Sequence, residues 1–477
     1  MYMNQEHRSL LFITILSIIM SLQLNRRKFI TQLGLAGAST LGFPSIVRGQ
    51  NLNSKLQVGF VAAGGRATFH LDQAHKHGLQ CVAFAEIDKR VWQKNVLAKE
   101  GWAAAKGYTD WRELFQNHGK ELDVVFVSTP DHTHFAPSMT AVSMGIHCYT
   151  EKPLTWSVRE AQLLTAAYKA NPKVVTQMGN QGHAGAGWRT VYDYVKAGAI
   201  GDITEFHTWT NRPVWPQGGK RPEGSDPIPP EVDWESWIGP APMRPYKEKA
   251  YHRFNWRGVT DFGSGALGDM ACHTTDGIYA MMDPGYAASS EPIFMTGPVG
   301  DQFPSGMSVK ATYRATADRP GFATYWYEGK TVDGGNNMPE TPEELKVDNK
   351  ELPRTGNLII GTKGKILVQG DYWNSPRIIP EAKRREFGKP KQLLERSPGH
   401  HEEFFMACRG EKPREFSQSN FGYAGPMTAN VQLGNLSARA GKKLLLDEKG
   451  VITSDPAIND LAWREPRKGW GPLVQKI

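Results

Sequence analysis

Cysteine is scarce in this sequence: four in 477 residues, with no C-x-x-C pair and no His/Cys spacing of a zinc site. A disulfide framework and a structural zinc core are both excluded. An excess of one charge is also missing once the termini are separated. The net charge is +8, but residues 1–50 hold Arg8, Arg26, Arg27, Lys28 and Arg48 against Glu6 alone, so half of it sits there. The rest is near balance, and no basic cluster alternates with aromatics, which excludes nucleic acid as a partner. Long apolar runs are absent too. Leu10–Leu22 is interrupted by Thr14, Ser17 and Ser21, and it falls short of the roughly 20 residues a bilayer span needs. There is no internal repeat, and the 49 Gly and 31 Pro follow no period, so they mark turns and long loops. Against these absences stand 40% hydrophobic residues and 14 Trp, enough for a large buried core.

The N-terminus reads as an address. Arg26-Arg27 precede the weakly apolar stretch Ile30 to Val47, a pattern that resembles a twin-arginine export signal. On this reading residues 1–50 are the signal, with cleavage near Gly49. Met20 would start a signal of ordinary length, leaving residues 1–19 as a start-site artefact; a membrane anchor is the competing reading. No Cys lies in the first fifty residues, which excludes a lipoprotein attachment. The protein is expected outside the cytoplasm, with no stable membrane anchor after cleavage.

Beyond residue 50 strands and helices alternate. Strands are expected at Leu56–Val61, Gln80–Glu86, Val124–Ser128, His147–Thr150 and Val174–Gln177, with helices near Thr68–His77, Lys89–Lys99 and His134–Met144. Asp110-Trp-Arg-Glu113 and Ser157-Val-Arg-Glu160 have capping-box spacing and open two more helices. Such alternation implies a doubly wound parallel sheet of Rossmann type over residues 51–175. The first turn, Ala62-Ala63-Gly64-Gly65-Arg66-Ala67, matches G-x-G-x-x-G/A at its second and third positions and departs at the first, where Ala62 stands for glycine. The middle Gly lets backbone approach a pyrophosphate at the helix N-terminus. Glu86 ends the second strand, where an acid binds ribose hydroxyls and repels a 2′-phosphate, favouring NAD over NADP.

Three further segments follow in order: Ser128-Thr129-Pro130-Asp131-His132-Thr133-His134, then Glu151-Lys152-Pro153-Leu154, then Gly263 to His273 with Asp269 and His273 four apart. Turn, T-P-x-x-x-H, E-K-P and D-x-x-x-H in this order resemble the glucose–fructose oxidoreductase/inositol dehydrogenase (Gfo/Idh/MocA) family over about residues 55–445. Gln177-Met-Gly-Asn-Gln-Gly-His183, Asn211-Arg-Pro-Val-Trp-Pro-Gln217 and Gly422-Tyr-Ala-Gly-Pro426 are similar to a bacterial branch that often bears twin-arginine signals. The resemblance implies a catalytic set of Lys152, Asp269 and His273. It implies NAD contacts from Ala62, Gly64, Gly65, Arg66, Glu86, Thr129, Pro130, His132, Glu151 and Lys152. It also implies a second domain over 176–445, an α+β unit with a large, mostly antiparallel open sheet that often mediates homo-oligomers.

Alcohol oxidation explains these residue types. A helix puts Asp269 and His273 on one face. His273 is placed to take the hydroxyl proton, with a pKa in the working range. Asp269 would orient the imidazole or bind a neighbouring hydroxyl, and the Lys152 ammonium would stabilise alkoxide charge. His134 reads as structural. Of Asp131, His132 and His134, two alternate on an extended segment and no third partner joins them, so no metal is expected. In the second half, 211–251 is a long Pro/Gly-rich insertion containing Trp215, Trp234 and Trp237, and 446–477 reads as a tail. Trp215 and Trp256 offer faces for sugar C–H surfaces, with Asn180, Arg212 and Arg257 as donors; plain packing of the loop is the competing reading. The leading function is NAD-dependent hydride transfer at a secondary hydroxyl of a sugar, glycoside or cyclitol, with the cofactor retained. The alternatives are redox-neutral glycoside cleavage, which needs one additional base, and a non-catalytic sugar-binding protein.

Overall fold

Short apolar strands separated by helices bury both faces and therefore pair in parallel. β1 (Gln57–Val61), β2 (Gln80–Ala85), β3 (Lys106–Tyr108), β4 (Val124–Val127), β5 (His147–Thr150) and β6 (Thr176–Met178) lie in the order β3-β2-β1-β4-β5-β6, all parallel. The order reverses between β1 and β4, which opens a crevice at the strands' C-terminal ends. The computed structural model describes residues 55–477, which form one unit; the export signal expected over 1–50 lies outside the described residues. The first domain was expected to end at 175, but β6 pairs with β5 beyond that point, so the boundary falls after Met178.

The helices α1 (Ala67–Lys76), α2 (Trp111–His118), α3 (Phe135–Ser143) and α4 (Val158–Ala170) cover this sheet. Ser157 and Glu160 form the reciprocal capping box that their spacing suggests, satisfying two backbone donors at once. At Asp110 the side chain accepts instead from the Arg112 N–H. The helix expected over Lys89–Lys99 is a 3₁₀ turn, Lys89–Val91, followed by a π turn, Gln93–Leu97. Side chains divert it: Asp88 accepts from the Arg90 N–H, Trp92 Nε1 donates to the Glu86 carbonyl and Asn95 Nδ2 to the Ala63 carbonyl.

The second sheet runs in the order β13-β12-β11-β7-β10-β9-β8-β14. Its strands are β7 (Ile203–Thr210), β8 (Ser289–Met295), β9 (Gly306–Tyr313), β10 (Phe322–Gly329), β11 (Gly356–Gly361), β12 (Gly364–Gln369), β13 (Asn374–Ile379) and β14 (Leu444–Leu445). Only β7 and β10 pair in parallel. The helices that matter for the site are α5 (Ala186–Lys196), α6 (Gly265–Thr274), α7 (Asp276–Met282), α8 (His400–Cys408) and α9 (Phe421–Ala440). The chain returns to the first sheet through the last two. Phe404 and Phe405 of α8 join the core of Phe60, Phe126 and Tyr149, and α9 lies along α4.

Two segments read as loop or tail are ordered by aromatic packing. In the insertion, Trp234 and Trp237 stack with centroids 4.5 Å apart and form a small core with Tyr246, Tyr251 and Phe262. That core presses the insertion onto the end of β2: Lys89 N–H donates to Glu231 O at 3.0 Å and Asp233 N–H to Ile87 O at 2.9 Å. The tail folds back over the first domain, with the Arg464 guanidinium 3.9 Å above Trp156, that of Arg112 3.7 Å above Trp470, and Leu473 N–H donating to Thr140 Oγ1. The charged segment 339–351 holds one helical turn, Glu343–Lys346, because Leu345 is buried against Trp209 and Leu358.

Candidate active site

A cavity of about 520 Å³ runs from the turn after β1, past the ends of β4 and β5, to α6. Ala62, Gly64, Gly65, Arg66, Glu86, Thr129, Pro130, Glu151, Lys152, Trp215, Arg257, Asp269 and His273 all line it. Sequence positions 62 and 273 thus meet in one space.

The cofactor end starts from the turn. Ala62 takes φ +84° and Gly65 φ +53°. Ala62 therefore adopts the left-handed conformation that the missing glycine would have supplied, at the steric cost of a Cβ. α1 begins without any side-chain cap, and the Ala67, Thr68 and Phe69 N–H groups turn back to the Gly64, Gly65 and Arg66 carbonyls at 3.1, 3.3 and 3.2 Å. The Ser128 and Thr129 hydroxyls, both on the cavity wall, are buried without a partner, and such groups call for one. The orphaned hydroxyls and the crevice at the switch point fit a bound dinucleotide.

Glu86 is arranged differently from the sequence expectation. One oxygen accepts from the Ala63 and Gly64 N–H groups at 2.8 and 2.9 Å, the other from the Asp88 N–H at 3.0 Å. Burial raises its pKa, and those three donors work against the rise. The carboxyl braces the turn rather than standing free for a ribose. Beside it Asp88 binds Arg90 at 2.7 Å and Arg253 at 2.6 Å, with His252 at 3.5 Å. Against the effect of burial, the two arginines hold its carboxyl well below the usual range. Residues 252 and 253 follow the insertion directly, so this ion pair fastens the insertion across the β2 end of the cavity. Spacing within the first domain gave no sign of it.

The catalytic end rests on E-K-P. Glu151 accepts from His70 Nε2 at 2.8 Å, Arg66 Nε at 3.1 Å and the Lys152 N–H at 3.1 Å, while His70 Nδ1 meets His401 Nε2 at 2.9 Å. Burial lowers the pKa of both histidines, and the two rings link α8 to Glu151 through one buried chain of contacts. Burial would raise Glu151, but the His70 hydrogen bond leads the effects that hold it well below its ordinary value. Glu151 is thus an ionised anchor for the Lys152 backbone. His134 joins the two loops, facing Pro153 O at 2.7 Å and Thr129 O at 2.8 Å.

Lys152 Nζ donates to Asp269 Oδ1 and to the Asp269 carbonyl, both at 2.7 Å, and Arg257 Nε reaches the same Oδ1 at 3.2 Å. Burial works against the ammonium, but Asp269 outweighs it and lifts Lys152 above its ordinary value. Burial likewise would raise Asp269, yet the Lys152 and Arg257 charges bring it down to about 2. The expectation that Asp269 orients His273 is corrected here: the two cations claim its carboxylate, and His273 Nδ1 is buried without a partner. The expected working-range pKa of His273 is corrected too. Burial, with Lys152 next, lowers it to about 3, so the imidazole is neutral.

The structure does not bring His132 or Asn180 to the cavity wall. The ring nitrogens of His132 face Phe262 O and Trp237 O at 3.1 Å each. Asn180 Nδ2 donates to Asp276 Oδ1 at 2.7 Å, in a buried cluster with His183 and Tyr423. Trp215 and Trp256 are only 6% and 7% exposed; with Phe254 they surround the Arg257 guanidinium at 4.5–5.9 Å. Sequence reasoning missed Asp131. It lines the cavity, and burial raises its carboxyl to about 7 despite Lys152, while Ser264 hydrogen-bonds it. Its signal was present, an acid directly after T-P at a strand end, but it was weighed only as a metal ligand.

Fold and cavity together define a dinucleotide-dependent enzyme. The model of the Gfo/Idh/MocA oxidoreductase family with an NAD-binding Rossmann fold matches residues 56–178, and that family's C-terminal alpha/beta domain matches 194–293. The chain belongs to this oxidoreductase family, and NAD is its cofactor. Curated relatives include a glycosyl hydrolase family 109 protein of Shewanella pealeana, 23% identical over 153 residues, and an alpha-N-acetylgalactosaminidase of Shewanella oneidensis, 25% identical over 155 residues. Each match spans 31% of this chain and 33% of the relative, so about a third of their length is shared. Among solved structures, the WlbA dehydrogenase of Bordetella pertussis in complex with NADH and UDP-GlcNAcA superposes with a TM-score of 0.56 at 16% identity, covering 83% of this chain and 98% of the other. Levoglucosan dehydrogenase in complex with NADH and L-sorbose gives 0.50 at 17% identity, covering 82% and 99%.

Proposed function

We propose that the protein transfers hydride between NAD and a secondary hydroxyl of a sugar, glycoside or cyclitol, and that its NAD stays bound through turnover. The carrying observation is the opposite charge state of two neighbours in one cavity: Lys152 held as ammonium by Asp269, His273 held neutral by burial. Bound NAD supplies the hydride acceptor or donor. Lys152 stabilises negative charge developing on the substrate oxygen. His273 accepts the hydroxyl proton. Asp269 keeps Lys152 charged and in place, and Glu151 fixes the backbone from which Lys152 projects.

Retention of the cofactor is supported by the insertion lying across the β2 end, fastened through Asp88 and Arg253. The sugar-like ligands named with the structural relatives support the substrate class. We also propose export by the twin-arginine route, motivated by Arg26-Arg27; that route moves folded, cofactor-loaded proteins. The open second sheet supports a homo-oligomer.

Redox-neutral glycoside cleavage is the second reading. Asp131 is an additional acid–base group of the kind it requires, although the glycosidase-named relatives match only a third of their length. One experiment separates the two. Purified protein is given nitrophenyl glycosides with no added NAD. Nicotinamide reduction on bound cofactor supports hydride transfer as the net reaction. Aglycone release without net reduction overturns it.

A further inference from the structure

The catalytic cavity does not end at Tyr372. A second depression of about 610 Å³ adjoins it, and the two share Arg66, Gln181 and Tyr372 as walls. Its floor is the start of α5, from Gly185 to Thr190, and its far rim is the turn Tyr372 to Pro376.

The turn is held in an unusual shape. Gly370, Trp373 and Ser375 have φ of 74°, 60° and 49°. Non-glycine residues keep such conformations only where their surroundings impose them, and these places are often functional. Trp373 is the anchor, 1% exposed and packed beside Gly277. Glycines on the opposite side make room for it. A Cβ at Gly187 would lie 1.7 Å from the Trp373 carbonyl oxygen, and one at Gly182 would lie 3.0 Å from the Tyr372 ring. The run Gln181-Gly-His-Ala-Gly-Ala-Gly187 is therefore the seat of the turn.

This seat leaves the Tyr372 ring 43% exposed, edge-on to His273 with centroids 5.0 Å apart. Phe69 stands 39% exposed on the same groove, under the Arg66 guanidinium. Aromatic surface beside a hydrogen-bonding side chain is what a pyranose ring needs: its C–H face lies on the ring while the amide of Asn374, on the groove wall, serves its hydroxyls. Tyr372 and Phe69 add aromatic surface beyond Trp215 and Trp256, which line the catalytic cavity itself.

We infer that this groove is a second carbohydrate subsite, so that the substrate is a glycoside or oligosaccharide with a unit beyond the ring at Lys152 and His273. The inference rests on the reading of the reacting group as a sugar hydroxyl. The test is calorimetric titration of the purified, NAD-containing protein with matched pairs of methyl hexopyranosides and disaccharides of the gluco, galacto and manno series. In at least one series the disaccharide is expected to bind at least about tenfold tighter. Thr190→Trp, which fills the groove from α5, is expected to remove most of that gain. Saturation-transfer NMR on the unmutated protein gives a readout independent of any variant: the second ring should receive saturation from protein aromatic protons. Equal affinities within every pair, or a gain that survives Thr190→Trp without saturation of the second ring, overturn the subsite and leave the hydroxyl-oxidation reading standing. Absence of binding by every sugar in the panel counts against both.

Discussion

The two ends of the cavity are built on opposite plans. At the cofactor end, chain closes over the site: the insertion pairs with Ile87 and Lys89, and Arg253 grips a buried Asp88. At the substrate end the wall stays open, and the exposed rings of Tyr372 and Phe69 lead into a groove. The first end is bordered by the Asp88–Arg253 ion pair; the second opens into the groove. That difference is what an enzyme needs when one reactant is resident and the other exchanges. It gives a physical reason to separate retention from turnover, and variants can attack each alone.

The largest effect is expected at the meeting point of the two ends. Lys152→Met removes the ammonium that pairs with Asp269 at 2.7 Å and that the proposed reaction sets against the substrate oxygen, and should lower kcat by about 10²–10³-fold. His273→Asn should cost about 10²–10⁴-fold. Steady-state kinetics on the sugar identified by titration measure both. At the closed end, Arg253→Ala should speed loss of NAD by about tenfold while leaving kcat at saturating NAD near wild type, because Arg253 meets Asp88 and not the reacting groups; timed desalting followed by nicotinamide assay reads this.

Asp131 tests the interior between them. Its folded value of about 7 lies above the ordinary 3.8, so the fold favours the protonated acid, and cofactor-free stability should decline as pH rises from about 4 to 7. Asp131→Asn should erase that decline, gaining about 1–3 kcal/mol at pH 8 and nothing near pH 4. Thermal melts of apoprotein across this range decide it, and a wild-type profile parallel to that of the variant would remove Asp131 from consideration as a buried acid. The smallest effect concerns the turn. Ala62→Gly relieves a positive φ and should stabilise by about 1 kcal/mol without weakening NAD retention.

The same contrast governs what could be read in advance. The first sheet was legible because each strand is a short apolar run and each helix carries its own signal, as Ser157 and Glu160 show. E-K-P and D-x-x-x-H were legible as motifs, and the structure brings Lys152 and Asp269 to 2.7 Å. Partner choice was not. Nothing local says that Asp269 turns to Lys152 and Arg257 instead of His273, or that Glu86 spends its oxygens on Ala63, Gly64 and Asp88. Those outcomes depend on which donors the fold delivers from far along the chain. Arg253 with Asp88 and Gly187 with Trp373 are contacts of this kind. The aromatic surface was legible only in part: Trp215 does line the cavity, whereas Tyr372 and Phe69 carried no signal, because sequence carries no exposure.

The most direct single measurement is spectroscopic. Purified protein, desalted and given no cofactor, is mixed with the sugar panel while nicotinamide absorbance is followed in one turnover. The expected result is reduction of protein-bound NAD by at least one sugar, abolished by Lys152→Met. Protein that carries no nicotinamide, or bound NAD that no sugar reduces in the wild type, would contradict a resident cofactor serving hydroxyl oxidation.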